Sequence, residues 1–216
     1  MTQADNNEHS YSQITGWRPE FGTRFGPTLK LPVARSPYEV CRRAYTGGTV
    51  LDIGAGVDKP LATYLDLTGQ NYHSVDTDPA ASCDFRSIEE VPASSGYDLI
   101  VLNQVLEHLT VSEALGLLRC AGTRLVDGGT IVASVPNMQH PVRYWGDATH
   151  VTPWPVDDFY GLFKCADLDV KGVFRSGKRH LSWNPIVRYL TMAMCRQFRV
   201  DWCDTTIISG GRPEPT

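Results

Sequence analysis

The chain has 216 residues, 42% of them hydrophobic and 20% charged, and a formal net charge of −4. These are ordinary globular values for one large domain with appendages, and the charge gives no global signal for nucleic acid or an anionic membrane. No run approaches the roughly 18 apolar residues of a membrane span, the start lacks an apolar signal core, and the six cysteines form no CxxC pair, so a reducing cytoplasm is the simplest setting.

Charge is less even locally. Between Asp52 and Glu113 there are 11 acids against two basic residues, Lys59 and Arg86. Between Lys171 and Arg199 there are seven basic residues and no acid. Such blocks serve as solvated faces, or mark a half that suits a cation and a lobe that suits an anion.

Taken in order, residues 1–15 are polar, and their start reads as disordered. The stretch 16–37 is rich in Gly, Pro and Arg, with Trp17, Phe21 and Phe25 interleaved. It is too broken for a long helix or strand, yet its aromatics call for a packing partner. Residues 1–35 therefore form a tail and a lid segment, and 36–216 the main domain. Ser36-Pro37 starts a helix that stops at Gly47-Gly48. Thr49–Ile53 is a strand, Val57–Leu67 a short helix, Tyr72–Val75 a second strand, and Cys83–Phe85 a brief third. Tyr97–Leu102 is almost wholly apolar, as in a strand covered on both faces. Thr110–Leu125 is an amphipathic helix, Asp127-Gly128-Gly129 a turn, and Thr130–Val135 a strand. Val156–Cys165 is helical, Leu168–Phe174 a strand, Asn184–Phe198 a helix within a basic insertion at about 176–199, and Val200–Ile208 a last strand. This alternation predicts an α/β fold: a Rossmann-like, mostly parallel seven-stranded sheet with helices on both faces and an antiparallel C-terminal edge strand.

In such a sheet a ligand sits beyond the carboxyl ends of the strands, next to the first of them. That places Asp52, Gly54, Gly56, Asp76, Asp84 and Asn103 as site candidates. Asp76 follows Gly56 by 20 residues, and an acid there can accept both hydroxyls of a ribose. The dinucleotide fingerprint GxGxxG fails, because Lys59 stands at its third glycine.

The motifs VLDIGAG at 50–56, HSVDTDP at 73–79, YDLIVLNQVLEHL at 97–109, LVDGGTIVASVPN at 125–137 and DATHVTPWPVDDFYGLF at 147–163 resemble those of class I S-adenosylmethionine-dependent methyltransferases. The resemblance covers residues 49–163 and implies S-adenosylmethionine as cofactor. It implies that Gly54, Ala55 and Gly56 admit the methionine end, that Asp52 helps hold its ammonium, and that Asp76 with Thr77 takes the ribose. Asp84 and Phe85 resemble the adenine-contacting position, and Asn103 and Gln104 would face the methionine part or the methyl. The cofactor is a net cation, which suits the acid-rich half.

On the acceptor side, His150, His140 and His108 are candidate catalytic imidazoles, with His150 the first choice of base. Against this stands a structural role for each: pinning a loop, or, with Glu107, shaping the turn after the fourth strand. Tyr144, Trp145 and Trp154 are the candidate substrate wall. No metal is called for, since Asp147 and His150 lack a third ligand. The segment Lys178-Arg179-His180 and the helix 184–198 read either as a lid with solvated arginines, a cover over an anionic acceptor, or a membrane-surface contact. Arg18, Arg24, Trp17 and Phe25 either touch the acceptor or simply pack. The reading is an O-methyltransferase of a small-molecule acceptor, with an anionic acceptor one of the options the basic lobe allows, acting without nucleic acid, as a monomer or homodimer. The alternatives are a nicotinamide-dependent oxidoreductase and a catalytically silent cofactor-binding protein. Titration with each cofactor separates the first two readings, and product release from a metabolite panel separates the third.

Overall fold

The computed structural model describes residues 11–177 and 184–213. Lys178-Arg179-His180 and the first ten residues lie outside the described residues. The strands are β1 (Val33–Ala34), β2 (Val50–Ile53), β3 (Tyr72–Val75), β4 (Tyr97–Asn103), β5 (Leu125–Pro136), β6 (Asp169–Ser176) and β7 (Thr205–Gly211). They form one seven-stranded sheet in the order β1-β6-β7-β5-β4-β2-β3. All neighbours are parallel except that β7 runs antiparallel to both β5 and β6. This is the expected Rossmann-like architecture; its antiparallel strand β7, the last in the chain, lies between β5 and β6 in the half of the sheet that ends at β1.

The helices are α1 (Arg18–Phe25), α2 (Pro37–Ala44), α3 (Pro60–Leu65), α4 (Val111–Thr123), α5 (Val156–Cys165) and α6 (Pro185–Phe198). Their starts follow local chemistry. The Ser36 hydroxyl accepts the Glu39 amide with Pro37 in the first turn, and Thr110 and Glu113 form a reciprocal capping box. The Asn184 side chain accepts from the Ile186 and Val187 amides.

Both faces of β4 are covered. Ile100 and Leu102 join one core with Leu115, Leu118, Phe159 and Phe163 beneath α4 and α5. Leu99 and Val101 join the other with Val40, Cys41, Leu61 and Leu65 beneath α2 and α3. Successive strand side chains alternate between faces, so a strand buried on both sides has no polar alternation to show.

Boundaries differ from expectation most at four places, one being the last strand, Thr205–Gly211 rather than Val200–Ile208. Cys83–Phe85 makes only one bridge, Val75 to Phe85, because the Asp84 carboxylate takes the Ser74 amide that a further ladder bond would use; the seventh strand is instead Val33–Ala34. Asp127-Gly128-Gly129 is not a turn between elements. β5 runs through it, with three more residues between Leu125 and Thr130 than β4 has between Tyr97 and Leu99, and Gly128 takes the left-handed φ of +78° that this excursion uses. The helix α3 starts only at Pro60, because Lys59 is left-handed at φ 44°.

The N-terminal segment packs on α5. Phe21 and Phe25 meet Tyr160 at ring distances of 5.7 Å, Arg18 pairs with buried Asp158 at 2.6 Å, Arg24 donates to the Val170 carbonyl, and Lys164 lies over the Trp17 ring. Arg24, Trp17 and Phe25 thus serve packing. By contrast α6 has no buried residue; Ile186, Tyr189, Leu190 and Met194 are exposed. No helix among the described residues is long and apolar enough to cross a membrane.

Candidate functional site

The strand order reverses at β2, whose neighbours are β4 and β3. The carboxyl ends of these three strands bring together Asp52, Gly54, Asp76 and Asn103. Gly54 and Ala55 both donate backbone N–H bonds to the Val75 carbonyl, which folds the loop back over β3. Gly54 (φ +75°) and Gly56 (φ +67°) are left-handed, a conformation that costs most residues about 1 kcal/mol or more. A Cβ at Gly56 would meet nothing within 4 Å, whereas one at Gly54 would strike the Val105 side chain. Gly56 therefore faces open space, and Gly54 sits under the residue that follows β4.

Asp76 accepts the Gly56 amide at 2.7 Å through Oδ2 and the Asp78 amide at 2.8 Å through Oδ1. Each oxygen keeps a further lone pair. Thr77 beside it is exposed. Asp52 is 3% exposed and accepts the Tyr72 hydroxyl at 2.7 Å. Burial pushes its carboxyl up to about 6, against the lowering effect of that bond. A cation delivered beside it would repay the desolvation of its charged form. The buried acid, the open glycine turn and a carboxylate with spare lone pairs at the end of β3 all fit S-adenosylmethionine.

Two expected cofactor residues are otherwise engaged. Asp84 accepts from both the amide and the hydroxyl of Ser74, so its carboxylate faces β3. Asn103 accepts the Ser134 hydroxyl at 2.6 Å and donates to the Tyr38 hydroxyl at 3.3 Å. Phe85 is half-buried with its ring edge on His73. Gln104 is left-handed at φ 57° and its side chain donates to Ser134. Tyr38, a tyrosine in an ordinary amphipathic helix, carries no local signal in the sequence.

Beyond the ends of β4 and β5 lies a cleft of about 800 Å³ that includes Gln104, Glu107, His108, His140, Asp147 and His150 in its walls. Backbone bonds stitch it together. The Val151 and Thr152 amides donate to the Glu107 carbonyl, the Thr152 hydroxyl to the Leu109 carbonyl, and the Trp154 indole to the Leu106 carbonyl. Trp154 is 3% exposed, so it anchors the loop in the core and is no part of a substrate wall. Tyr144 is also buried and stacks on His150, while Trp145 is 70% exposed.

The three histidines differ in which nitrogen is available. His140 Nδ1 accepts the Val142 and Arg143 amides, both at 3.2 Å. Its proton is therefore on Nε2, which faces Asp204 at 3.8 Å, and it has no lone pair to act as a base. Burial lowers its pKa. His150 Nδ1 lies 2.7 Å from the Tyr144 carbonyl. His108 Nδ1 lies 3.2 Å from the Thr149 carbonyl. A carbonyl can only accept, so both carry Nδ1–H and keep a lone pair on Nε2. Their rings are 5.0 Å apart. Glu107 is fully buried, neither of its carboxylate oxygens has a hydrogen-bond partner, and burial pushes it up to about 8. The Glu107-His108 pair was legible in sequence; the isolation of the carboxylate was not.

A family model described as "Methyltransferase domain" matches residues 30–171. A search of curated protein sequences returns no match. Among solved structures, an S-adenosylmethionine-dependent methyltransferase from Archaeoglobus fulgidus superposes with TM-score 0.61 at 16% identity, over 90% of this chain and 99% of that one. Mitomycin 7-O-methyltransferase gives TM-score 0.58 at 15% identity, over 96% and 62%. The [4+2]-cyclase SpnF gives 0.57 at 15%, over 83% and 80%. At such identities the superpositions speak for the fold, and the family rests on the sequence model, which spans well over half the chain. The chain belongs to this family of methyltransferase domains, an enzyme whose expected cofactor is S-adenosylmethionine.

Proposed function

We propose that the protein methylates an oxygen of a small-molecule acceptor held in the cleft beyond β4 and β5. One observation carries this reading: His108 and His150, each with an Nε2 lone pair, share that cleft with Gln104, the residue next to Asn103 at the cofactor end of β4. A hydroxyl acceptor must lose a proton, and these two residues ease its removal. Bound S-adenosylmethionine supplies a methyl group already activated on a sulfonium. Gly54, Ala55 and Gly56 admit its methionine end, Asp52 balances its ammonium, and Asp76 with Thr77 holds the ribose hydroxyls. Positioning supplies much of the remaining rate.

An anionic acceptor is supported by a second cleft of about 670 Å³ with Lys30, Arg196 and Arg199 in its walls. It shares Trp202 with the first. Residues 18–28 of the lid segment border the same region through Arg18, Pro27 and Thr28.

The test is a methyl-transfer assay on a panel of hydroxylated metabolites, with calorimetry for the cofactor. His150→Ala is expected to lower kcat by about 10²-fold or more while leaving S-adenosylmethionine affinity within about twofold. Unchanged turnover in that variant removes His150 from the chemistry. Tight binding of NAD instead of S-adenosylmethionine sinks the reading as a whole.

A further inference from the structure

The geometry points to a divalent transition-metal site in the acceptor cleft, formed by Glu107, His108 and His150. One ligand atom from each of the three lies within 4.8 Å of the others, close enough for one ion to touch all three after small side-chain adjustments.

Three independent features support an ion rather than a chance cluster. The first is the Glu107 carboxylate, fully buried and without a partner on either oxygen. Leaving such a group unsatisfied costs about 1–3 kcal/mol or more, and native structures rarely tolerate it without an occupant. Second, both imidazoles are already oriented for ligation. His150 gives its Nδ1–H to the Tyr144 carbonyl at 2.7 Å, and His108 gives its own to the Thr149 carbonyl at 3.2 Å and hydroxyl at 3.1 Å. Metal-binding histidines are commonly held through the second nitrogen in this way, which fixes the tautomer and the ring plane. Third, the three donors come from two segments locked to each other. The Glu107 carbonyl takes the amides of Val151 and Thr152 at 2.7 and 3.0 Å, so the His150 loop cannot drift from the Glu107-His108 turn without breaking them.

Two nitrogens and one carboxylate oxygen suit zinc, iron(II), manganese or cobalt better than calcium or magnesium, which take oxygen ligands. Asp147 stands beside the site, its Oδ2 3.8 Å from His150 Nε2, and adds negative charge. The remaining coordination positions open on the cleft that His140, Arg143 and Asp204 help to line. An ion there holds a hydroxyl of the acceptor and lowers its pKa. With both Nε2 lone pairs on the ion, the two imidazoles ease deprotonation through the ion rather than as bases, and the released proton passes to water at the cleft mouth. This use of the ion rests on the O-methylation reading; the site itself does not.

The experiment treats the full-length protein with chelator, dialyses it, and titrates it with Co²⁺, following visible absorption and stoichiometry. Expected is about one Co²⁺ per chain with visible ligand-field bands, competed away by Zn²⁺. Glu107→Gln, which keeps the volume, and His150→Ala are each expected to weaken Co²⁺ binding by about 10-fold or more. S-adenosylmethionine affinity, measured on the same samples, checks that the variants are folded. Absence of stoichiometric binding to the wild type, or equal binding to a folded Glu107→Gln/His150→Ala double variant, overturns the site. Binding of Co²⁺ without turnover on any hydroxylated acceptor supports the site and counts against O-methylation. Turnover that survives chelation, with no metal bound, refutes the site and leaves the methylation reading standing.

Discussion

Gly56 donates its backbone N–H to Asp76 Oδ2 at 2.7 Å across 20 residues of sequence. This bond couples the glycine turn after β2 to the acid after β3. It presets the carboxylate while leaving lone pairs for a ligand. Asp76→Asn replaces an acceptor-only group with one that presents an amide toward the Gly56 N–H or the ribose. Charge-assisted hydrogen bonds contribute about 1.5–3 kcal/mol. Calorimetry is therefore expected to show S-adenosylmethionine affinity falling by roughly 10- to 100-fold. Affinity within a factor of about two of wild type removes Asp76 from the ribose.

If Asp52 balances the ammonium as proposed, cofactor binding depends on pH. Burial raises its carboxyl to about 6, so the free protein holds it protonated in mild acid. The ammonium of the cofactor pairs with the charged form, so affinity should fall as pH drops through about 6. Tyr72→Phe deletes the hydrogen bond that stabilises the charge and should move this loss to higher pH. Stability has the opposite sign. A folded pKa raised above the unfolded value contributes stability that is fully present below about 4 and is lost as pH rises through the folded pKa. Asp52→Asn should thus be at least as stable as wild type at pH 8 while binding the cofactor more weakly. A pH-independent Kd between pH 5 and 8 contradicts this.

Gly54 is constrained twice, by its left-handed φ of +75° and by the Val105 side chain. Gly54→Ala should cost about 1–3 kcal/mol by overpacking, with about 1 kcal/mol more for the backbone. Adding Val105→Ala should recover the steric part only. Urea denaturation of the double variant and both single variants measures the coupling; strictly additive losses would show that Val105 is not the obstacle.

Arg175 and Asp201 form a buried ion pair at 3.0 Å, with both side chains at most 6% exposed. Arg175 also donates to the Leu29 and Leu31 carbonyls, and Asn137 donates to Asp201. The pair therefore ties the N-terminal segment, β6 and the loop after β5 together. Removing one partner leaves a buried charge, so Asp201→Ala should lose about 3–5 kcal/mol. Arg175→Met with Asp201→Leu should lose much less than the two single losses summed. Equal additive losses in denaturant titrations would deny the coupling.

The N-terminal segment is structural. Phe21, at 5% exposure, and Phe25 both pack on Tyr160. Fully burying such a ring contributes about 1.5–3 kcal/mol. Truncation of residues 1–35 also removes β1 and should lower Tm by several degrees, in addition to any loss of turnover. An unchanged Tm with lost activity would mark the segment as a pure lid.

Features encoded by near neighbours were legible in the chain. The Ser36, Thr110 and Asn184 caps, the apolar β4 and the limits of α5 and α6 depend on residues within a turn of one another. The glycine turn and the acids at the ends of β2 and β3 follow from the same local rules plus the topology of an α/β sheet. What failed depended on distant partners. Cys83–Phe85 lost its ladder to the Asp84–Ser74 bond, and Trp154 left the substrate wall for the Leu106 carbonyl, 48 residues away. The sequence by itself determined the fold class, the expected cofactor and the uneven charge that makes one half acid-rich. Only the tertiary structure decided which histidine nitrogens are available and that Glu107 stands beside them without a partner. A tautomer is set by whichever carbonyl meets the ring, and for His108 that carbonyl belongs to Thr149, 41 residues further along the chain.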